Sequence, residues 1–490
     1  MGAHGEHEHG EHGPEPFPRH ATVDAVADEL AARGRSERLQ RLLVALGLVL
    51  LALALPTRGL FGQCVPLVEA TSRGAWAGAH LLPCAAARGL VQGAGLDAER
   101  AWFLLSACAL GLAFLALARI TRMRGWEHGP AVVIALLALA APVALVAGTT
   151  PDASVFRLLG TALFASELVR GASGPRRRAL AWLLAAALHA GNAWAWPALL
   201  VVELRSRTAL SVLVRIAPAL VAACSFVLVS TVAQGDPSGS LHAAARALLA
   251  GGSGAARSAL AWWTLWLPAL GAAGVGLAAW ITDAARGGWR REPELVLLAL
   301  VPWVAQSLGG AIDFELPFLE LVPIGLLGLL GLFQWSDERG HGGRARAAAI
   351  GLGLCGLLGA AWIRGLDRHA EWTRVASETL NPGDVVLTAS RAHRHLLEHR
   401  FRVTTVDLAS AGGRPQAERQ RFLDEQTAAA ARLAAEGRRL VVDADSLFEG
   451  GTLVWPDRAQ LDAFVAHARP VVLPDAEMGD PFEIASPAGR

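Results

Sequence analysis

The sequence lacks lysine and tyrosine altogether, and only 18% of its 490 residues are charged, against about 25% in an ordinary soluble protein. Without lysine, Schiff-base chemistry and a lysine general base are both excluded. A bound phosphate could be held only by arginine, histidine or backbone amides. The net charge of +1 leaves no electrostatic footprint for nucleic-acid binding. We therefore expect no nucleic-acid partner.

Apolar residues are abundant instead, at 53% of the chain, and the mean hydropathy is +0.38. A compact water-soluble chain of this length could not bury so much apolar surface. The same composition excludes a disordered protein and a secreted disulfide scaffold. It predicts a polytopic, all-α membrane protein, with the lipid bilayer as its first partner.

Ten apolar runs are candidates for membrane-spanning helices. One of them, 179–204, has arginines immediately before it at 176–178 and after it at Arg205 and Arg207. Positive charge at both ends predicts two short helices that turn back near 189–192, which gives eleven segments in all. The runs are 42–55, 101–118, 130–147, 154–169, 179–204, 210–233, 261–281, 295–308, 316–333 and 347–363.

The distribution of arginine predicts the orientation of these segments. With the N-terminus inside, the loops assigned inside hold 20 arginines and the short loops assigned outside hold seven, as the positive-inside rule requires. An odd number of crossings puts the C-terminus outside. The predicted parts are a His-rich cytoplasmic tail over 1–37, a membrane domain over 38–363 with a long outer loop at 56–100, and an extracytoplasmic domain over 364–490.

The last part of the chain alternates short β-branched runs with helical stretches. Strands are predicted at 384–390, 402–407, 438–443 and 471–473, with helices at 391–400, 415–436 and 458–469. This alternation predicts a small three-layer α/β domain with a largely parallel sheet. No glycine fingerprint follows its strands, so dinucleotide binding is not supported.

Four features together resemble the GT-C superfamily of membrane glycosyltransferases, which includes protein O-mannosyltransferase and aminoarabinose-transferase relatives. The features are the outer-loop sequence at 65–82, Thr150-Pro-Asp152 at the start of the fourth segment, the broken hairpin, and the start of the tail at 380–387. The resemblance implies transfer of a sugar from a polyprenyl-phosphate donor to an acceptor hydroxyl, with inversion. It implies a bacterial inner (cytoplasmic) membrane and a reaction on its outer face.

The resemblance also implies a carboxylate just beyond the first helix, and here the sequence departs from the pattern. The position holds Gln63, and an amide cannot take a proton. Glu69 is the nearby candidate for this general base; otherwise the chain has diverged from catalysis. Asp152 matches a second family acid that binds a metal or orients the acceptor, although an Asp before a helix is also a common N-cap.

Cations are needed to neutralise the leaving phosphate. The candidates are Arg157, His80 and Arg58. Arg157 lies inside an apolar run, where a charge is costly and must face a polar cavity. It either binds phosphate or pairs with Asp152 or Glu167. Three acidic residues form either an acidic mouth on the outer side of the membrane domain or ordinary solvated charges of a loop: Asp313, Glu315 and Glu320.

The other candidate sites lie in the outer loop and in the N-terminal tail. Cys64 and Cys84 share the outer loop in the predicted topology, where oxidation is permitted, and a disulfide is predicted between them. No cofactor is required, and a divalent metal is left open. A weak metal-binding tract, or a solvated tail, is formed by His4, His7, His9 and His12.

Two alternatives to an enzyme stay open at this point. One is a catalytically inactive envelope scaffold of the same fold, which Gln63 favours. The other is a metal or solute transporter, which the histidine tract favours. Against a transporter, the sequence shows no internal repeat, and its acids cluster at helix ends rather than at mid-span.

Overall fold

The computed structural model describes most of the chain. The described residues are 23–57, 64–76, 80–170, 173–205, 209–234, 268–288, 292–308, 318–365, 370–388, 390–407, 416–443, 446, 448–449 and 452–453. Arg58, Gln63, the four N-terminal histidines and positions 313 and 315 lie outside them. So do the helix and strand predicted at 458–469 and 471–473.

Helices make up nearly all of the described part before residue 380. In the first half they are α1 Val23–Ala54, α2 Cys64–Ser72, α3 Leu81–Ala94, α4 Ala98–Met123, α5 His128–Leu139, α6 Pro142–Gly148, α7 Ser154–Val169, α8 Pro175–Leu188, a 3-10 turn Ala190–Ala195, and α9 Trp196–Leu204. They continue as α10 Ala209–Gln234, α11 Ala272–Ala285, α12 Pro293–Leu308, a 3-10 turn Leu319–Leu321, α13 Val322–Glu338, α14 Gly342–Gly365 and α15 Ala370–Thr379.

Several of these helices are long and apolar enough to cross a membrane. Among the described residues there are three, Ala98–Met123, Leu319–Glu338 and Gly342–Trp362. A fourth candidate is the pair α5 and α6, which is bent by 84°. Shorter apolar helices cover Val214–Val229, Ala272–Ala285 and Pro293–Pro302. The chain is therefore rich in apolar helices, and the number of eleven crossings stays a prediction.

The helices that pack least against their neighbours carry large exposed apolar side chains. On α14, Leu358 is 71% exposed and Trp362 is 69% exposed. On α1, Leu42, Leu46 and Leu50 are each more than half exposed. Contiguous apolar surface of this kind is unfavourable in water but suits contact with lipid.

Ion pairs join several loops that the arginine count assigns to the inside. Arg119 lies 2.6 Å from Glu167, and Arg124 lies 2.7 Å from Glu292. These contacts bring the C-terminal ends of α4 and α7 and the chain before α12 to one end of the bundle. The grouping of these loops agrees with the arginine pattern, and the orientation in the membrane stays a prediction.

The segment 179–204 folds back on itself. Its two helices, α8 and α9, are separated by extended backbone at His189 and the 3-10 turn. Arg178, near the start of α8, contacts Glu203 at the end of α9, with Nε 2.6 Å from Oε1 and Nη2 3.0 Å from Oε2. The start of α8 and the end of α9 therefore meet, as the arginines at both ends of the segment predict.

Helices α11 and α13 cross at glycine. A Cβ added at Gly276 would lie 2.0 Å from the carbonyl oxygen of Gly325, and one added at Gly328 would lie 1.8 Å from that of Gly276. Real side chains cannot approach so closely, so this crossing requires glycine on both helices.

The tail contains a parallel sheet. Strands β1 Val385–Thr388, β2 Thr404–Asp407 and β3 Leu440–Val442 pair in the order β2-β1-β3, with Val385 opposite Thr404 and Leu440. Each strand lies within a stretch predicted as a strand. The connecting helices are α16 Arg391–Leu396, which runs into a π-turn Leu397–Phe401, and α17 Gln416–Ala435; a short hairpin, β4 Phe448–Glu449 and β5 Thr452–Leu453, follows. The extent of a separate domain over 364–490 stays a prediction.

Candidate functional site

Arg157 of α7 is a buried cation inside the helical bundle. Its side chain is 7% exposed, and its Nε lies 3.1 Å from Oε2 of Glu320, whose side chain is fully buried. The geometry is that of an ion pair without a hydrogen bond. Within the described part of the chain, Nε and Nη2 of Arg157 and both carboxylate oxygens of Glu320 have no hydrogen-bond partner.

The guanidinium of Arg157 lies against the break in the 179–204 hairpin. A Cβ added at Gly191 would be 3.4 Å from Cζ of Arg157. Asn192 fixes the break to α7, because its amide donates to the carbonyl oxygens of Arg157 and Ala185 at 3.3 and 3.0 Å. It also accepts from Thr161 at 3.0 Å. The asparagine thus ties the hairpin break both to α7 and to the last turn of α8.

Glycine makes this junction possible on the α7 side. A Cβ at Gly160 would lie 2.2 Å from Nδ2 of Asn192 and 3.0 Å from the carbonyl oxygen of Ala185. A larger residue here would push the hairpin away from α7 and from Arg157.

Two histidines complete the surroundings of Arg157. His80 precedes α3 in the outer loop, and its ring centroid lies 4.4 Å from that of His189, with the rings tilted by 43°. Burial, with a smaller contribution from the charge of Arg157, lowers the pKa of His80 to about 4. At neutral pH His80 is therefore uncharged.

Glu320 sits in the 3-10 turn directly before α13 and is 0% exposed. The interpretation as solvated loop charge is wrong for this residue. So is the expected pairing of Arg157 with Asp152 or Glu167: Glu167 instead faces Arg119 at 2.6 Å and Arg170 at 3.8 Å. A carboxylate in an otherwise apolar turn needs a cation, and Arg157 supplies it.

Asp152 lies in the turn between α6 and α7 and is 1% exposed. Oδ1 accepts from the backbone N–H of Ala153 at 2.7 Å, and Oδ2 accepts from the hydroxyl of Ser154. The carbonyl oxygen of Asp152 accepts from Ser106 of α4 at 2.8 Å. The carboxylate therefore holds the turn before α7, five residues before Arg157. The N-cap of α7 is Ala153, without a side-chain cap hydrogen bond, so Asp152 is not the N-cap.

Glu69 of α2 faces the C-terminal part of the chain. Its Oε1 lies 3.3 Å from Nη2 of Arg394 in α16, and its Oε2 lies 3.9 Å from Nη2 of Arg73. Of the predicted site residues, His80 and Arg157 are thus brought together. Glu69 is engaged elsewhere. Sequence reasoning treated His189 only as part of the predicted break and Glu320 only as part of the acidic outer mouth, and it linked neither of them to Arg157.

The two cysteines of the outer loop are buried in adjacent helices. Cys64 begins α2 and Cys84 lies in α3, and each is 1% exposed. The disulfide stays a prediction. In the described part of the chain, no three histidine, cysteine or acidic side chains form a group that could hold a metal.

A second buried polar cluster lies at the carboxyl ends of β1 and β3. Asp443 accepts from Nε1 of Trp372 at 3.0 Å and from Thr388 at 2.7 Å, and lies 2.8 Å from Nδ1 of His393. Burial alone would raise the pKa of Asp443, but the facing His393 and these hydrogen bonds outweigh it and lower the pKa. His393 also stacks on Trp372 at 4.2 Å. The cluster anchors α16 to the sheet.

A cavity of about 810 Å³ lies at the other end of α13 from Glu320. Its lining includes Arg124, Asp283, Glu292 and Glu338. The lining mixes acidic and basic side chains, so the cavity has no concentration of positive charge that would bind an anion. Arg157 belongs to a different part of the molecule.

The arrangement around Arg157 favours binding of an anion. Among the described residues, Nε and Nη2 of this buried guanidinium have no hydrogen-bond acceptor, and two imidazole rings lie nearby. Leaving such groups unsatisfied is costly, at about 1–3 kcal/mol each or more for a charged group. Oxygens of a phosphate would satisfy them, since guanidinium and phosphate match in geometry.

The sequence matches no family model and no curated relative. Its structure is similar to two crystal structures of ArnT from Cupriavidus metallidurans, each at 14% sequence identity. One is the apo state, with a TM-score of 0.47 over 85% of this chain and 94% of that chain. The other is bound to undecaprenyl phosphate, with a TM-score of 0.45 over 76% of this chain and 90% of that chain. These similarities assign no residue a role.

Proposed function

We propose that the chain is an integral membrane glycosyltransferase that transfers a sugar from a polyprenyl-phosphate donor to an acceptor hydroxyl. The observation that carries the proposal is Arg157, a buried arginine with two unsatisfied N–H groups on the path between the outer loop and the hairpin break. Its chemistry suits the phosphate of the donor.

Arg157 would act on the leaving group. When the bond between the sugar carbon and the phosphate oxygen breaks, negative charge grows on that oxygen. A cation that is already oriented and shielded from water stabilises this charge more in the transition state than in the ground state. Glu320 balances the positive charge of Arg157 while the site is empty, and the phosphate competes with this carboxylate for the guanidinium.

The acceptor hydroxyl must lose a proton to a base. Asp152 is the candidate that supports this step best, because it is a carboxylate at the start of the helix that carries Arg157. To accept a proton it would exchange the hydroxyl of Ser154 for that of the acceptor. The metal-binding role of Asp152 is not needed in this scheme.

The arginine distribution supports a reaction on the extracytoplasmic face of a bacterial inner membrane. Arg157 lies at the end of α7 opposite to Glu167, and Glu167 meets Arg119 and Arg170 in the loops assigned inside. The site therefore belongs to the end of the bundle that is poor in arginine. The same reasoning puts the C-terminal part outside.

The test is binding of undecaprenyl phosphate to the purified full-length protein in detergent. Arg157→Gln should weaken binding by about a hundredfold, because a charge-assisted pair of hydrogen bonds is lost. Arg73→Gln is the matched control, since Arg73 is 63% exposed and should leave binding unchanged. Equal affinity of wild type and Arg157→Gln would contradict the proposal.

An inactive scaffold of the same fold is the second candidate. It is favoured by Glu69, which is paired with Arg394, and by Asp152, whose two carboxylate oxygens both accept hydrogen bonds. Release of polyprenyl phosphate from labelled polyprenyl-phosphate sugars separates the two functions. Release that Asp152→Asn abolishes supports the transferase, whereas lipid-phosphate binding with no release from any donor supports the scaffold.

A further inference from the structure

The outer-loop helix α2 and the tail helix α16 meet through one ion pair. Oε1 of Glu69 and Nη2 of Arg394 are 3.3 Å apart, and the two side chains are only 14% and 10% exposed. Ion pairs shielded to this degree are weakly screened by salt and depend strongly on both partners. The contact joins parts of the chain that are more than 300 residues apart.

Each partner of this pair is mounted on a rigid support. On the tail side, α16 is capped by Ser390, which accepts from the N–H of His393 at 3.3 Å. The ring of His393 is held between Trp372 and Asp443. Arg394 follows directly, so its backbone position is fixed by the sheet.

On the loop side, α2 is fixed to the membrane helix α4. Nε1 of Trp102, which is fully buried, donates to Thr71 at 2.9 Å. Leu67 and Val68 of α2 are each 2% exposed. Glu69 therefore projects from a helix that cannot rotate freely.

We infer that Glu69 and Arg394 form a clamp that docks the tail onto the outer loop, and that Glu69 serves this contact rather than proton transfer. The chain leaves α2 through a turn at Gly74, with φ +69°, and reaches His80 before α3. The clamp consequently adds a second contact to the one between α2 and Trp102 and helps to set the position of the helix that precedes His80. This inference is independent of what Arg157 binds.

Amide hydrogen exchange on the full-length protein in detergent tests the clamp through a double-mutant cycle. Glu69→Gln and Arg394→Gln should each speed exchange in 64–73 by roughly tenfold, because local opening becomes easier. The double variant should show no further increase, since either change alone already breaks the pair. Two controls should leave exchange in 64–73 unchanged: Arg73→Gln, and Glu398→Gln, which removes the charge that faces Arg394 at 3.3 Å from the π-turn after α16.

Two results would overturn the inference. One is unchanged exchange in 64–73 after Glu69→Gln. The other is an additive effect in the double variant, roughly a hundredfold, which would mean that the two residues act separately. A proton-transfer role predicts a different pattern: Glu69→Gln would abolish sugar transfer without a change in exchange, and Arg394→Gln would retain transfer. A result that overturns the clamp would not contradict the proposed binding of undecaprenyl phosphate at Arg157, which is measured separately.

Discussion

The bundle contains two buried Arg–Glu pairs that differ in how completely they are bonded. Arg178 and Glu203 form a two-pronged pair at 2.6 and 3.0 Å, and Nη1 of Arg178 also donates to the carbonyl oxygen of Ser173. Arg157 and Glu320 approach only at one point, 3.1 Å, without a hydrogen bond. We call the first pair, which is fully hydrogen-bonded, the closed pair. The second pair, which has no hydrogen bond between its members, is the open pair.

The difference follows from what each pair joins. Arg178 and Glu203 lie on the two limbs of one hairpin, so the short chain between them can bring them to ideal geometry. Arg157 and Glu320 come from α7 and the turn before α13, and the hairpin break with His189 and Asn192 packs beside them. An incompletely bonded buried charge is costly unless a ligand completes it. The first pair is therefore a structural contact, and the second is the one for which we propose a ligand.

The largest expected effect is on the closed pair. Arg178→Gln should destabilise the fold by about 3–5 kcal/mol, because Glu203 is left buried without its cation. Thermal unfolding of the detergent-solubilised protein measures this. The double change Arg178→Met with Glu203→Leu should recover most of the loss, since an apolar pair of similar volume needs no partner. A single variant as stable as wild type would remove the distinction between the two pairs.

The next largest effect is a loss of folding stability at acidic pH. The pKa of His80 is lowered to about 4 in the folded protein from an ordinary value of 6.5, so the unfolded chain binds the extra proton first. Stability is therefore complete above pH 6.5 and falls as the pH drops from 6.5 towards 4, by on the order of 3 kcal/mol. Melting temperatures across this range should fall less steeply in His80→Gln. His341→Gln, at an exposed position, is the control, and parallel curves for wild type and His80→Gln would contradict the assignment.

The smallest effect sharpens the role of the open pair. Glu320→Gln removes the carboxylate charge that competes with phosphate for Arg157, so undecaprenyl phosphate should bind roughly tenfold more tightly. Isothermal titration or a fluorescent lipid-phosphate probe can measure the change. If affinity falls instead, Glu320 orients Arg157 for the ligand, and the open pair is a preformed part of the binding geometry.

The sequence predicted the hairpin because its signal is local. Arginines on both sides of 179–204 require both ends to lie at the same surface, and Arg178 and Glu203 meet there. The parallel strands were predictable for a similar reason, since short β-branched runs alternate with helices. Their ends were less so: the predicted helix 391–400 ends as an α-helix at Leu396 and continues as a π-turn, which no residue pattern indicates.

The surroundings of Arg157 were predictable only in part. Its position inside an apolar run signalled a polar partner, but the choice among carboxylates depends on how α7 packs against the turn before α13. Glu320 looked like loop charge because the acids near it in sequence suggest solvent. His189 lay in the predicted break, yet nothing local indicates its ring contact with His80 from the outer loop. An ionisable residue within a membrane-spanning run needs a polar or oppositely charged partner, but the sequence does not identify that partner.

The glycine crossing of α11 and α13 limits how the Arg157 region can move. Gly276, Gly325 and Gly328 bring two backbones into direct contact, and sliding either helix by one residue would put a side chain where none fits. Glu320, just before α13, is thereby locked at a fixed depth. For the lipid-phosphate site that we propose at Arg157, the α11–α13 pair is therefore a fixed neighbour, and movement that admits a ligand must come from the hairpin break or from the segment carrying His80.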